Sequence, residues 1–172
     1  MSALVLLDSA TASSSASVTL GAGDWDTNYN VYLVTIDKAV PANDSVNLVC
    51  RLLISGTPDS SASYDHANYV LKGETTFADE GGVNANEVTL GGAGTGTGES
   101  VSGNIHLFKM NVSGTYKSMT FDTTYLNSSA NLRSKVGGAF LTNTAVANGI
   151  TIFYSSGNIA SGEFKLYGYA IS

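Results

Sequence analysis

Residues 46–54 read VNLVCRLLI, and the alternation in this stretch decides the fold class. Val46, Leu48, Cys50, Leu52 and Ile54 fall on one side of an extended chain, with Asn47, Arg51 and the following Ser55 on the other. A period of two marks a β-strand with one buried face. Val49 and Leu53 interrupt the polar side, which predicts that this side also meets a partner surface. A second run, NVYLVTID at residues 30–37, is almost continuously apolar, as expected for a strand covered on both faces.

Working outward, further β-type runs appear at Ala3–Asp8, Ser17–Leu20, Asp65–Lys72, Val88–Leu90 and Ile105–Val112. Others follow at Lys117–Thr124, Leu132–Thr142, Gly149–Tyr154 and Glu163–Ile171, separated by clusters of Gly, Asn, Asp and Ser. Helical periodicity is absent nearly everywhere. About eight to ten strands in a chain of this length predict an all-β, two-sheet antiparallel β-sandwich of the jelly-roll-like kind. An immunoglobulin-type sandwich is disfavoured because the Cys…Trp…Cys pattern is missing. Residues 1–172 are read as a single β-sandwich domain. Residues 76–103 include FADEGGVNANEVTLGGAGTGTGESVSG, glycine-dense beyond what a core accepts, and are read as a projecting loop or arm.

The last strand poses a question of its own. SSGNIASGEFKLYGYAIS, residues 155–172, carries Phe164, Leu166, Tyr167, Tyr169 and Ile171. Exposed at an edge, such a strand invites pairing with other chains. It is therefore expected to lie inside its own sheet, or under a neighbouring subunit, with SSGNIASG as a tight link between two antiparallel strands. Phe164 and Leu166 are predicted on the core face, and Tyr167, Tyr169 and Ile171 on the other.

Composition narrows the function. Charged residues make up 13%, against about 25% usually, and net charge is −6. Polarity comes from Ser, Thr, Asn and Gly, and 43% of residues are hydrophobic, which is not the signature of disorder. The eight Lys and Arg residues are scattered without a basic stripe, arguing against nucleic-acid binding and against an anionic membrane surface. The single cysteine, Cys50, sits in the alternating run and reads as a buried core residue, and a disulfide-free design points to assembly in a reducing cytoplasm. MSALVLLDSATASSSAS lacks the basic start and the apolar length of a signal peptide. No stretch reaches the roughly 20 apolar residues of a membrane helix.

Candidate chemistries fall away on spacing. GGAGTGTGES at residues 91–100 has no lysine where a phosphate loop needs one, and Thr97 stands where a dinucleotide fingerprint needs glycine. In DWDTNYN, Asp24, Asp26 and Asn28 alternate like the first half of a calcium loop, but Tyr29 and Thr35 occupy its glycine and glutamate positions. They are read as turn residues with a weak calcium potential, and no metal or cofactor is assigned. His66 and His106 have no metal-ligand spacing. Asp65 beside His66 is not a triad, because neighbours on a strand point to opposite faces. No nucleophile elbow occurs, and no pair of acids stands out for glycoside hydrolysis. No catalytic residue is assigned, and the chain is read as no enzyme, with a polysaccharide depolymerase kept as a distant reading. The nine tyrosines are the better lead, since a large apolar face with a polar tip suits subunit interfaces and sugar stacking. Tyr64, Tyr69, Tyr125, Tyr167, Tyr169 and Ile171 are the binding or interface candidates.

These residues also carry a resemblance. The SATASSSAS start, the paired segments Tyr29–Ile36 and Val46–Ile54 with Pro41 between them, SASYDHANY at residues 61–69, and ITIFYSSGNIASGEFKLYGYA at residues 150–170 resemble small β-sandwich virion proteins of tailed bacteriophages, of the cyanobacterial and marine phage type. The last segment resembles that family's closing hairpin. The resemblance implies a jelly-roll homotrimer in the virion, assembled in the host cytoplasm among other virion proteins, as a tail or fibre module binding a host-surface glycan. The alternative it implies is a capsid decoration or cement protein on the head. It implies no cofactor, no nucleic-acid partner and no membrane insertion.

Overall fold

The alternating runs become two antiparallel sheets packed face to face. The computed structural model describes residues 4–22, 25, 29–74 and 76–170. Among these, the strands are β1 Leu4–Ser15, β2 Val18–Leu20, β3 Tyr29–Pro41, β4 Val46–Ile54, β5 Thr57–Pro58, β6 Tyr64–Lys72 and β7 Phe77–Ala85. They continue with β8 Val88–Ala93, β9 Val101–Phe108, β10 Lys117–Leu126, β11 Leu132–Leu141, β12 Ala147–Tyr154 and β13 Ile159–Ala170. The larger sheet has eight strands in the order β1-β13-β3-β9-β10-β11-β6-β7. The smaller runs β2-β12-β4-β5, with β8 also paired to β4. The chain passes repeatedly between the sheets, β1 to β2 to β3 to β4 and again β11 to β12 to β13, which is the jelly-roll-like character of the sandwich.

One core lies between the sheets. From the larger come Tyr32, Val34, Ile36, Ile105, Leu107, Met119, Phe121, Phe164 and Leu166, and from the smaller Leu48, Cys50, Leu52, Ile150 and Ile152. Full burial of such side chains contributes about 1.5–3 kcal/mol each. Phe164 and Leu166 are buried as their parity requires, and β13 is flanked by β1 on one side and β3 on the other. A strand that apolar is thus safe from edge pairing because it has no free edge. Cys50 is fully buried, and burial, reinforced by the Glu87 carboxylate, pushes its thiol up to about 12.

Three expectations are corrected. The link at residues 155–158 does not close a hairpin: β12 belongs to the smaller sheet and β13 to the larger, so it carries the chain across the sandwich. The predicted arm at residues 76–103 is largely strand. β7 pairs with β6 along Phe77–Ala85, and β8 pairs with β4. Besides the two-residue link at 86–87, residues 94–100 remain a loop, and it is tied down. The buried Glu99 carboxylate accepts the Gly96 amide at 2.8 Å, and Asp44 accepts the Thr95 amide at 3.3 Å. A Cβ on Gly94 would lie 2.2 Å from the Glu99 carboxylate and 2.3 Å from that of Asp44, so glycine here marks close approach rather than freedom.

The third concerns Val49 and Leu53, on the outer side of β4, which are buried by the chain itself. Val49 stands between Phe153 and Thr89 on the neighbouring strands. The Arg51 guanidinium lies 4.9 Å from the Phe153 ring centre and pairs with Glu87 at 2.8 Å. Leu53 lies against Gly149, whose missing side chain leaves it room.

Candidate functional site

The other face of the eight-stranded sheet has no such cover. In β6 the outward positions are Asp65, Ala67, Tyr69 and Leu71, while Tyr64, Asn68 and Val70 are buried. Register carries one outward row across the whole sheet: Leu6, Tyr167, Leu33, His106, Thr120, Gly138, Ala67 and Gly81. Its flanking rows add Val136 opposite Tyr69, and Phe140 beside Ser118 and Phe108. Among the described residues, ten of the twelve exposed large apolar side chains lie here; Tyr116 and Val146, in loops, are the others. Phe77 is 63% exposed, Tyr69 56% and Phe140 52%.

The face has relief as well as apolar character. Tyr69 meets Phe77 edge-on with ring centres 5.4 Å apart. A groove of about 670 Å³ runs between Phe108, Phe140 and Val83 over Gly138 and Gly82. At the opposite side of the sheet, the His106 ring stacks on Tyr169 and its Nε2 lies 3.2 Å from the Tyr169 hydroxyl. Eight strands of 8–13 residues, at about 4.8 Å spacing and about 3.3 Å per residue, give a face on the order of 1,000 Å². That matches the roughly 800 Å² each partner contributes to a stable interface.

The structure divides the tyrosine candidates. Tyr69, Tyr167 and Tyr169 all project from this face, Tyr69 on β6 and the other two on β13, with four strands between them. Tyr64 does not: it is fully buried at the inward start of β6. Its hydroxyl accepts the Leu52 amide at 2.9 Å and donates to the Asp59 carbonyl at 3.2 Å, and burial raises its phenol well above the usual range. It is a bracket between the sheets, so its assignment as an interface residue is withdrawn. Tyr125 points inward, half-buried, into a cleft. Ile171, Asp24, Asp26 and Asn28 lie outside the described residues. Sequence reasoning missed Phe77, Phe140, Leu71 and Val136. The signal was present in Tyr69-Val70-Leu71, where apolar residues follow one another without alternation, as in NVYLVTID.

The cleft opens between the sheets where β6, β7 and β11 face β4 and β8. It holds about 420 Å³ and is lined by Asn47, Lys72, Glu80, Thr89, Tyr125, Asn127, Ser128, Arg133 and Lys135, with a few small residues. Lys135 is 2% exposed and donates to Glu80 at 3.0 Å. Burial works to raise the Glu80 carboxyl, but the Lys135 ammonium outweighs it and holds the group below the usual carboxylate range. Arg133 pairs with Glu74 at the rim and also donates to the Leu132 carbonyl. The Tyr125 ring lies against Gly91, where a Cβ would come within 2.9 Å of it.

Few reactive arrangements are assembled. Glu80 is the one carboxylate lining the cleft, so the facing acids of glycoside hydrolysis are not brought together there. The Cys50 thiol is buried and protonated. Asp65 accepts the Asn84 amide on the outer face, while its neighbour His66 pairs across to the buried Ala139, so the two diverge as their adjacency predicts. No group of three metal-ligating side chains occurs among the described residues. No protein-family model, no curated protein and no solved structure matches this chain, so its function has to be argued from its own surfaces.

Proposed function

We propose that this chain is a non-enzymatic structural protein of a tailed-phage particle. It assembles into a homotrimer through the outer face of its eight-stranded sheet and serves as a tail or fibre module that attaches to host-surface glycan. One observation carries the reading: the outer face of the eight-stranded sheet, on the order of 1,000 Å² in all, leaves Leu6, Tyr69, Leu71, Phe77, Val136 and Phe140 exposed, and such a gathering of uncovered apolar side chains marks an interaction surface. A second copy is the favoured occupant. The near-continuous apolar character of β3 asks for cover on both faces, yet in its stretch 30–37 Tyr32, Val34 and Ile36 are buried while Val31 and Leu33 on the outer side remain half-covered. The resemblance to trimeric virion modules supports the particle and the trimer.

The expected result for Tyr169→Asp is loss of assembly with the fold intact. Sedimentation velocity should find the parent chain as a trimer and the variant predominantly as monomer, with thermal midpoints within a few degrees of each other. Phe140→Asp, on the far side of the same face, is expected to act alike. A parent chain that stays monomeric at high concentration would remove the assembly role. Gold-labelled antibody on purified particles then locates the protein: label on the tail supports attachment, label over the head makes it a decoration protein, and label on neither removes the virion reading.

A further inference from the structure

We infer that the cleft between the sheets binds an acidic sugar residue, a hexuronate or one of similar charge and size. The inference names the ligand class for the attachment role proposed above and rests on that role only for its biological use.

The cleft holds unfilled donors. Lys72 makes no hydrogen bond or ion pair among the described residues, although it lines the cleft. The Tyr125 hydroxyl also has no partner among them, and Arg133 spends only Nη1, on Glu74 and on the Leu132 carbonyl. Lys72, Arg133 and Lys135 stand against two carboxylates, Glu74 and Glu80, with the Lys72 charge also acting on the Glu74 carboxyl beside Arg133, so the group as a whole keeps one positive charge over. One uncompensated positive charge suits a monoanion. The site is built rather than incidental: Lys135 is almost completely buried beneath it, and its bond to Glu80 fixes that carboxylate at the wall.

The remaining lining excludes a simple inorganic anion. A volume of about 420 Å³ lies within the range of small-ligand sites and exceeds the needs of a single ion. Glu80 repels a multiply charged phosphate but accepts from a sugar hydroxyl. Asn47, Asn127 and Ser128 offer further hydroxyl and amide partners along the cleft. The pose that meets these groups places the sugar carboxylate at Lys72 and Arg133, and the ring hydroxyls toward Glu80 and the amides. No covalent step is involved.

The test is an amide-resolved NMR titration with sodium glucuronate, run on the parent chain and on Tyr169→Asp so that cleft and assembly face are read separately. Shifts are expected at Lys72, Tyr125 and Gly91 with a Kd of roughly 1 mM, the scale for a ligand of this size. Glucose, sodium acetate and inorganic phosphate are expected to bind at least about tenfold more weakly. Lys72→Gln should weaken glucuronate about tenfold and Tyr125→Phe to a smaller degree, both with unchanged thermal midpoints. Equal binding of glucose would remove the role of charge. Equal binding of acetate or phosphate would reduce the cleft to an anion site, and undiminished binding by Lys72→Gln would place the ligand elsewhere; each overturns the inference. Failure here leaves the trimer and virion tests standing. Binding by a monomeric Tyr169→Asp supports the cleft whatever the assembly state.

Discussion

Gly103→Ala is expected to lower the unfolding free energy by roughly 2–6 kcal/mol, combining overpacking and backbone strain. Gly103 lies on β9, opposite Thr123 of β10 and Ile36 of β3, near the middle of the eight-stranded sheet. Its φ is +157°, and a Cβ there would stand 2.2 Å from the Asp122 carbonyl oxygen and 2.6 Å from the Thr123 Cα. Both obstacles are backbone, so relief requires β10 to move away from β9 and to drag its partner β11 with it. The measurement is the urea midpoint at unchanged slope. Ser60→Ala, an exposed position in the loop between β5 and β6, is the control and should stay within about 0.5 kcal/mol. A Gly103→Ala midpoint equal to the control's would show that the β9–β10 ladder yields far more easily than its geometry implies.

Stability is expected to fall steeply in alkali, by roughly 4–5 kcal/mol between pH 8 and pH 11. Three buried acids cause it. Burial raises Cys50 from 9.0 to about 12 and raises the Tyr64 and Tyr154 phenols well above 10.0. A group whose folded pKa lies above its unfolded one contributes stability that is whole below the unfolded value and is lost as the pH climbs toward the folded value. For Cys50 that window opens near pH 9, and for the two tyrosines near pH 10. Each pH unit inside it costs about 1.4 kcal/mol per group. Lys117 works the other way: burial lowers its ammonium, so its penalty is relieved as the pH rises, but it is one group against three.

The expected loss is a large share of the 5–15 kcal/mol of an ordinary domain, enough for cooperative unfolding in mild denaturant. Urea midpoints at pH 8 and pH 11 measure it directly. Phenolate absorbance should show Tyr64 and Tyr154 ionising only as the fold is lost. Cys50→Ala should flatten the fall between pH 9 and pH 10. Equal midpoints at the two pH values would mean that these side chains reach water without unfolding.

Legibility in the sequence tracked how local the cause was. The inward faces of β3, β4 and β13 were readable because period two is a property of one strand. Strand pairing was not. SSGNIASG has the composition of a hairpin turn, and nothing within it tells whether the next strand joins the same sheet or the opposite one. The glycines of residues 76–103 misled for a similar reason. At Gly91 and Gly94 the small residue admits Tyr125 and the Asp44 carboxylate from distant segments, a need invisible along the chain. Tyr64 looked like its fellow tyrosines until the amide of Leu52 and the carbonyl of Asp59 supplied its partners. The cleft was hidden in the same way, assembled from six strands, with Lys72 and Glu80 coming from β6 and β7 and Arg133 and Lys135 from β11, some fifty residues further along.

The position of β13 also sets a timetable. It is made after every other strand described here, yet it stands second in the eight-stranded sheet, between β1 and β3. During synthesis β1 therefore waits with no partner in its sheet, its Leu4 and Leu6 in water and its backbone groups open, until β13 has left the ribosome. Closure then joins segments more than a hundred residues apart, such as Ala10 with Phe164, the kind of distant contact that makes β-rich chains slow to fold. The interval before closure is when this chain is most exposed to pairing with its neighbours, and a nascent β1 next to another copy's β13 is a route to exchange of strands between subunits.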